Sequence, residues 1–156
     1  MTQHQTAMLE RHILDRAHRA LDRLLAHIET TAEVAGTLEA SALSGVVQSL
    51  LDDIDKTLLP HMEWEEQVCF PDTDRLAGTP WATRLLRLQH EQIRQHLEQL
   101  RVAGLGQIEP HQRAILELRA HLYELHGLLN CHLEQEEHAL LTLLVAAPDE
   151  AHAATG

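Results

Sequence analysis

His61-Met62-Glu63-Trp64-Glu65-Glu66 recurs as His132-Leu133-Glu134-Gln135-Glu136-Glu137, 71 residues further along the chain. In each copy a histidine precedes a glutamate by four positions, and a helical step of about 100° per residue sets the two side chains one turn apart on one face. That face is otherwise aliphatic, running Leu58, His61, Glu65, Val68 in the first copy and Leu129, His132, Glu136, Leu140 in the second. Two further seams carry a lone histidine, in Leu14, His18, Leu21 and in Leu86, His90, Ile93. His90 follows His18 by 72 residues, so each half of the chain supplies one lone histidine and one His-x-x-x-Glu, as a duplicated helical hairpin would.

Apolar residues at spacings of three and four predict four helices around these seams, at roughly 6–30, 39–69, 80–103 and 110–146. Pro71 and Gly78 fall in the second connection, Thr79 is placed to cap a helix opening at Pro80, Gly104 and Gly106 separate the third helix from the fourth, and Pro110 can open the last. Pro60 removes one backbone donor inside the second helix and favours a kink before His61. Short connections make sequential helices antiparallel, which gives an all-α, up-down-up-down four-helix bundle. His18, His61, Glu65, His90, His132 and Glu136 then lie near one end of that bundle.

Composition supports the same class. One domain fits 156 residues at 44% hydrophobic content, with a core of about 10–145 and a short C-terminal tail expected to be flexible. Aromatic residues are only 3%, fewer than a β protein of this size needs. The formal charge of −12 disfavours nucleic acid and anionic membranes as partners. No apolar run approaches the roughly 20 residues of a membrane span, and the polar start lacks a signal-peptide core, so a cytoplasmic location is expected. Cys69 and Cys131 form no C-x-x-C motif and are read as reduced thiols.

Six ionisable groups facing a buried seam need a partner, because unpaired carboxylates there are costly or are forced neutral. Imidazole with carboxylate and no thiolate suits iron better than structural zinc, and calcium or magnesium would not select four imidazoles. Six donors exceed the need of one tetrahedral ion, whereas two ions can share carboxylates.

The Glu-x-x-His motif of ferritin-like di-iron bundles is absent here. With His-x-x-x-Glu in its place, a lone histidine before each pair, and Glu65-Glu66-Gln67-Val68-Cys69-Phe70-Pro71 resembling a Glu-Glu-x-x-Leu-Phe-Pro signature with Cys69 in the Leu place, the chain resembles the hemerythrin and HHE cation-binding family over about residues 10–145. The resemblance implies two non-haem irons in an oxo- or hydroxo-bridged centre. His18 and His61 would hold one, His90 and His132 the other, with Glu65 and Glu136 bridging. Oxygen-carrying members have a fifth histidine one turn after the position of His90, where this chain has Arg94. The iron on His90 would then keep a solvent or other exogenous ligand.

Two irons in an apolar bundle favour a small diatomic or peroxide as the ligand. The expectation is a protein, monomeric or weakly dimeric, that binds or senses oxygen, nitric oxide or peroxide. The alternatives are an enzyme consuming peroxide or nitric oxide, and an iron-buffering module. Among the remaining residues, Glu66 and Glu137 lie off the seam and are read as solvated, Trp64 and Trp81 as packing residues, and Cys69 as a possible pocket wall. His12 and His27 point away from the first seam, His4, His111, His138 and His152 are read as solvated, and His96, His121 and His126 occupy the flanks.

Overall fold

Leucine and alanine at helical spacing bury a continuous stripe on each of four long helices. In the computed structural model the described residues are 3–105 and 112–146, with side chains described for 18–103 and 112–139. The helices are α1 (Gln3–Val34), α2 (Ala40–Trp64), a π-helical turn (Glu65–Cys69), the short α3 (Phe70–Ala77), α4 (Arg84–Leu105) and α5 (Gln112–Ala146). Helix α1 packs on α2 and α5, and α4 packs on α2 and α5, which closes a four-sided antiparallel bundle. Its core is built from Leu21, Leu24 and Ile28 of α1, Val47, Leu50, Ile54 and Leu58 of α2, Ile93, Leu97 and Leu100 of α4, and Leu118, Leu122, Leu125 and Leu129 of α5. Each such aliphatic side chain stabilises the fold by roughly 1.5–3 kcal/mol when fully buried. No described helix is long and apolar enough to cross a membrane.

The second helix does not end at residue 69. Backbone angles stay right-handed helical through Trp64, Glu65, Cys69 and Phe70, so Pro71 lies in the first turn of α3 rather than in a connection. Pro60 sits inside α2 without ending it. The departure from α geometry comes at Glu65–Cys69, where the Phe70 N–H reaches back five residues to the Glu65 carbonyl. Wide turns of this kind are frequent at functional sites.

One expectation, Val68 on the buried seam, gives way at this turn. Five-residue hydrogen bonding puts more residues into the turn, so Cys69 rather than Val68 lies beneath Glu65. Cys69 is buried with Phe70 and Leu86, with Trp64 packed against them, whereas Val68 is 43% exposed.

The third long helix begins at Arg84, not at Pro80. Gly78 closes α3 in the left-handed region (φ 66°), and the Thr79 N–H bonds the Asp74 carbonyl at 3.0 Å. The Asp74 carboxylate then accepts both the backbone N–H of Thr83 (3.0 Å) and its hydroxyl (3.1 Å), which holds residues 79–83 in turns. Gly104 lies within α4. Gly106, Pro110 and the C-terminal tail beyond residue 146 lie outside the described residues, as do the side chains of His12, Leu14, Leu140 and Leu143.

Candidate metal centre

Each of the four long helices brings at least one of the six seam residues to a common place. His18 comes from α1, His61 from the last turn of α2, Glu65 from the start of the π turn, His90 from α4, and His132 with Glu136 from α5. Glu65, Glu136, His90, His132 and His61 are buried, and His18 is half-buried. Two groups of three donors result, each within reach of a single ion: His18, His61 and Glu136, and Glu65, His90 and His132.

The Glu65 carboxylate lies between the groups. Its Oε2 stands 3.1 Å from His90 Nε2, 3.8 Å from His132 Nε2 and 3.5 Å from His61 Nε2. Glu136 Oε2 stands 3.4 Å from His18 Nε2 and 3.9 Å from His61 Nε2. The His18 and His61 rings meet edge to face at 5.9 Å, and the His90 and His132 rings lie 4.7 Å apart. Phe70 covers His90 at 5.1 Å, and Trp64 lies over His61 at 6.4 Å.

The donor chemistry fits a cation. Both oxygens of Glu65 and of Glu136, and Nε2 of His18 and His61, are buried without a hydrogen-bond partner among the described residues. His90 Nδ1 donates to Glu66 Oε1 at 2.8 Å, and His132 Nδ1 donates to Gln89 Oε1 at 3.2 Å. A carboxylate or an amide oxygen can only accept, so each ring spends its proton outside the centre and turns an Nε2 lone pair inward. The lone pairs of His90 and His132 therefore meet the two buried carboxylates, an arrangement that costs several kcal/mol per buried charge unless positive charge meets it.

Electrostatics of the chain alone show the same demand. Burial works to raise the Glu65 carboxyl, but the imidazoles of His132, His61 and His90 outweigh it and hold the group ionised, well below the usual carboxylate range. Burial lowers His61, but Glu136 and Glu65 overcome it and lift the imidazole to about 9. Glu136 likewise raises His18.

Glu66 is the residue that reading by helical angle misplaced. It is half-buried, bonded to His90 Nδ1 through Oε1 and to Arg94 Nη2 through Oε2 at 2.9 Å. Burial opposes its ionisation, and His90 with Arg94 more than offsets this and lowers its pKa. Arg94 is thus tied to the acidic side chain of Glu66 on a neighbouring helix. Its repeat partner Glu137, in regular α-helix, is exposed as expected.

Gln89 was not marked by the sequence at all. Its amide joins His132 to Gln135, whose Oε1 accepts from Gln89 Nε2 at 2.9 Å, and its position beside His90 was the only available signal. Cys69 is walled off rather than reactive, with burial and the charges of Glu136 and Glu65 pushing its thiol up to about 12. Cys131 is exposed, and neither cysteine is in a disulfide. His27 pairs with Asp53 at 2.8 Å, away from the centre.

One side of the centre is open. A cleft of about 370 Å³ adjoins His18 between α1 and α5, lined by Asp22, Leu25, Asn130, Leu133 and Glu137 among others. His90, by contrast, has no exposed surface. Among families of known proteins, the model of the hemerythrin HHE cation binding domain matches residues 9–144, nearly the whole chain. No curated protein and no solved structure gives a significant match.

Proposed function

The chain belongs to the hemerythrin HHE cation binding family, and on that footing we propose that it is a non-haem di-iron protein that binds or senses oxygen, nitric oxide or peroxide. His18, His61 and Glu136 would hold one ion and Glu65, His90 and His132 the other, with Glu65 and Glu136 as the shared carboxylates. The supporting observation is that the two buried donor groups abut, with Glu65 Oε2 within 3.5 Å of His61 in one and 3.1 Å of His90 in the other. Six nitrogen and oxygen donors without thiolate favour iron over structural zinc.

Bound iron supplies reversible one-electron chemistry and coordination positions open to a small ligand. The chain's own residues set the conditions for it. Phe70 and the aliphatic seam keep bulk water from the His90 side, and Glu66 and Gln89 fix the tautomers of His90 and His132. The cleft beside His18 offers a small ligand its approach, from the side opposite to the one that the missing fifth histidine at Arg94 suggests.

Elemental analysis with an optical spectrum, on protein purified from iron-replete cells, tests the cofactor. Two irons per chain are expected, and stoichiometric zinc or a single ion would overturn the proposal. Mixing the reduced protein with oxygen, nitric oxide and peroxide in a stopped-flow spectrometer then tests the function. A stable reversible spectral change identifies a carrier or sensor, and sustained peroxide or nitric oxide loss identifies an enzyme. Inertness toward all three would leave iron buffering as the function and overturn the small-ligand reading.

A further inference from the structure

A second group of residues of metal-ligating type lies outside the centre. His96 of α4 faces His121 and Glu124 of α5, and the three donor atoms all lie within 4.8 Å of one another. His96 is six residues, about 9 Å, beyond His90 along α4, and His121 is eleven residues, about 16 Å, before His132 along α5. The helices are antiparallel, so both offsets lead away from the buried centre in the same direction.

The distances do not describe an ordinary ion pair. Glu124 Oε2 stands 3.8 Å from His96 Nδ1 and 3.6 Å from His121 Nδ1, beyond hydrogen-bond length in both cases. Both Nδ1 atoms are fully covered and have no hydrogen-bond partner among the described residues. The same molecule shows what a satisfied histidine–carboxylate pair looks like, in His27 and Asp53 at 2.8 Å. Donors held about 2.0–2.1 Å from a tetrahedral ion stand about 3.3–3.5 Å from one another. The two nitrogen–oxygen separations already approach that spacing, and a small rotation of half-exposed rings closes the third.

We propose that His96, His121 and Glu124 form a separate site for a divalent transition-metal ion of the zinc class, with water in the fourth position. Two neutral imidazoles and one carboxylate leave such an ion with a net positive charge and an open face, because Glu124 is mostly exposed. His121 and Glu124, three apart on α5, supply two ligands from one face, and His96 ties α4 to them. The site therefore cross-links two helices of the bundle.

The test uses the protein as purified, with its own metal in place. Equimolar Co²⁺ should add one ion per chain with the intense visible absorption of a four-coordinate site, and Zn²⁺ should displace it. His96→Gln, His121→Gln and Glu124→Gln should each abolish this uptake while iron content, the iron spectrum and helicity stay as in the parent. Absence of cobalt uptake by the parent, or uptake that persists in the three variants, would overturn the proposal. A change in iron content in the variants would likewise overturn the separateness of the two sites.

Discussion

His90 Nε2 and His132 Nε2 face each other at 3.1 Å, each ring having committed its Nδ1 proton to a partner outside the centre, Glu66 for one and Gln89 for the other. Two lone pairs directed at each other are repulsive, and a cation that accepted both would remove the repulsion. The outer partners therefore create the demand for metal as much as the ligands do.

Glu66→Ala should for this reason weaken metal binding by about 10–100-fold, the usual effect of removing a partner that orients a ligating histidine. Glu137→Ala should leave it unchanged, since Glu137 is exposed and lies outside both donor groups. Competition against a chelator of known affinity, on variants with parental helicity, measures both. Equal retention in the two variants would contradict the assigned role of Glu66.

Glu65→Ala should cost more metal than Glu136→Ala. Glu65 Oε2 contacts three imidazoles drawn from both groups, whereas Glu136 Oε2 contacts two, both in the first group. Iron content should fall toward about zero per chain in the first variant and toward about one in the second, reading each group as the holder of one ion. The reverse order, read by elemental analysis, would show that Glu136 is the principal bridge.

Chelation should lower the melting temperature, because buried carboxylates and imidazoles lose their common partner. In the metal-free protein a pH dependence should then appear. The His61 imidazole is lifted from 6.5 to about 9 in the fold by Glu136 and Glu65 against the opposing effect of burial. A raised folded-state pKa contributes stability that is fully present below pH 6.5 and is lost as pH rises through 9. Melts of the chelated protein across that window should fall with pH, and the metal-loaded protein should lack this step. A flat profile in the chelated protein would show that His61 is not held protonated.

The two thiols should differ sharply toward a disulfide reagent. Cys131 is exposed and should react at once at pH 8, while Cys69, buried and pushed up to about 12, should react only on unfolding. Two fast thiols in the native protein would mean that the turn at Glu65–Cys69 opens readily.

The helical repeat was legible in the chain because helix periodicity is local. A histidine and a glutamate four apart share a face whatever surrounds them, so His61 with Glu65 and His132 with Glu136 could be paired before any fold was known. The aliphatic seams on either side told which way those faces point, since leucine and isoleucine lose water only by turning inward. The four-sided bundle and the convergence of the six donors followed from short connections between such helices.

What the chain alone left open was decided where the local rule fails or where contacts cross between helices. The wide turn at Glu65–Cys69 breaks the 100° step, which turns Val68 out and Cys69 in and carries Glu66 to His90. The pairing of Arg94 with Glu66, the reach of Gln89 to His132 and the meeting of His96 with His121 and Glu124 join residues more than twenty positions apart. Periodicity assigns a residue to a face of its own helix, but only packing fixes the rotation and height of one helix against the next, and side-chain partners depend on both.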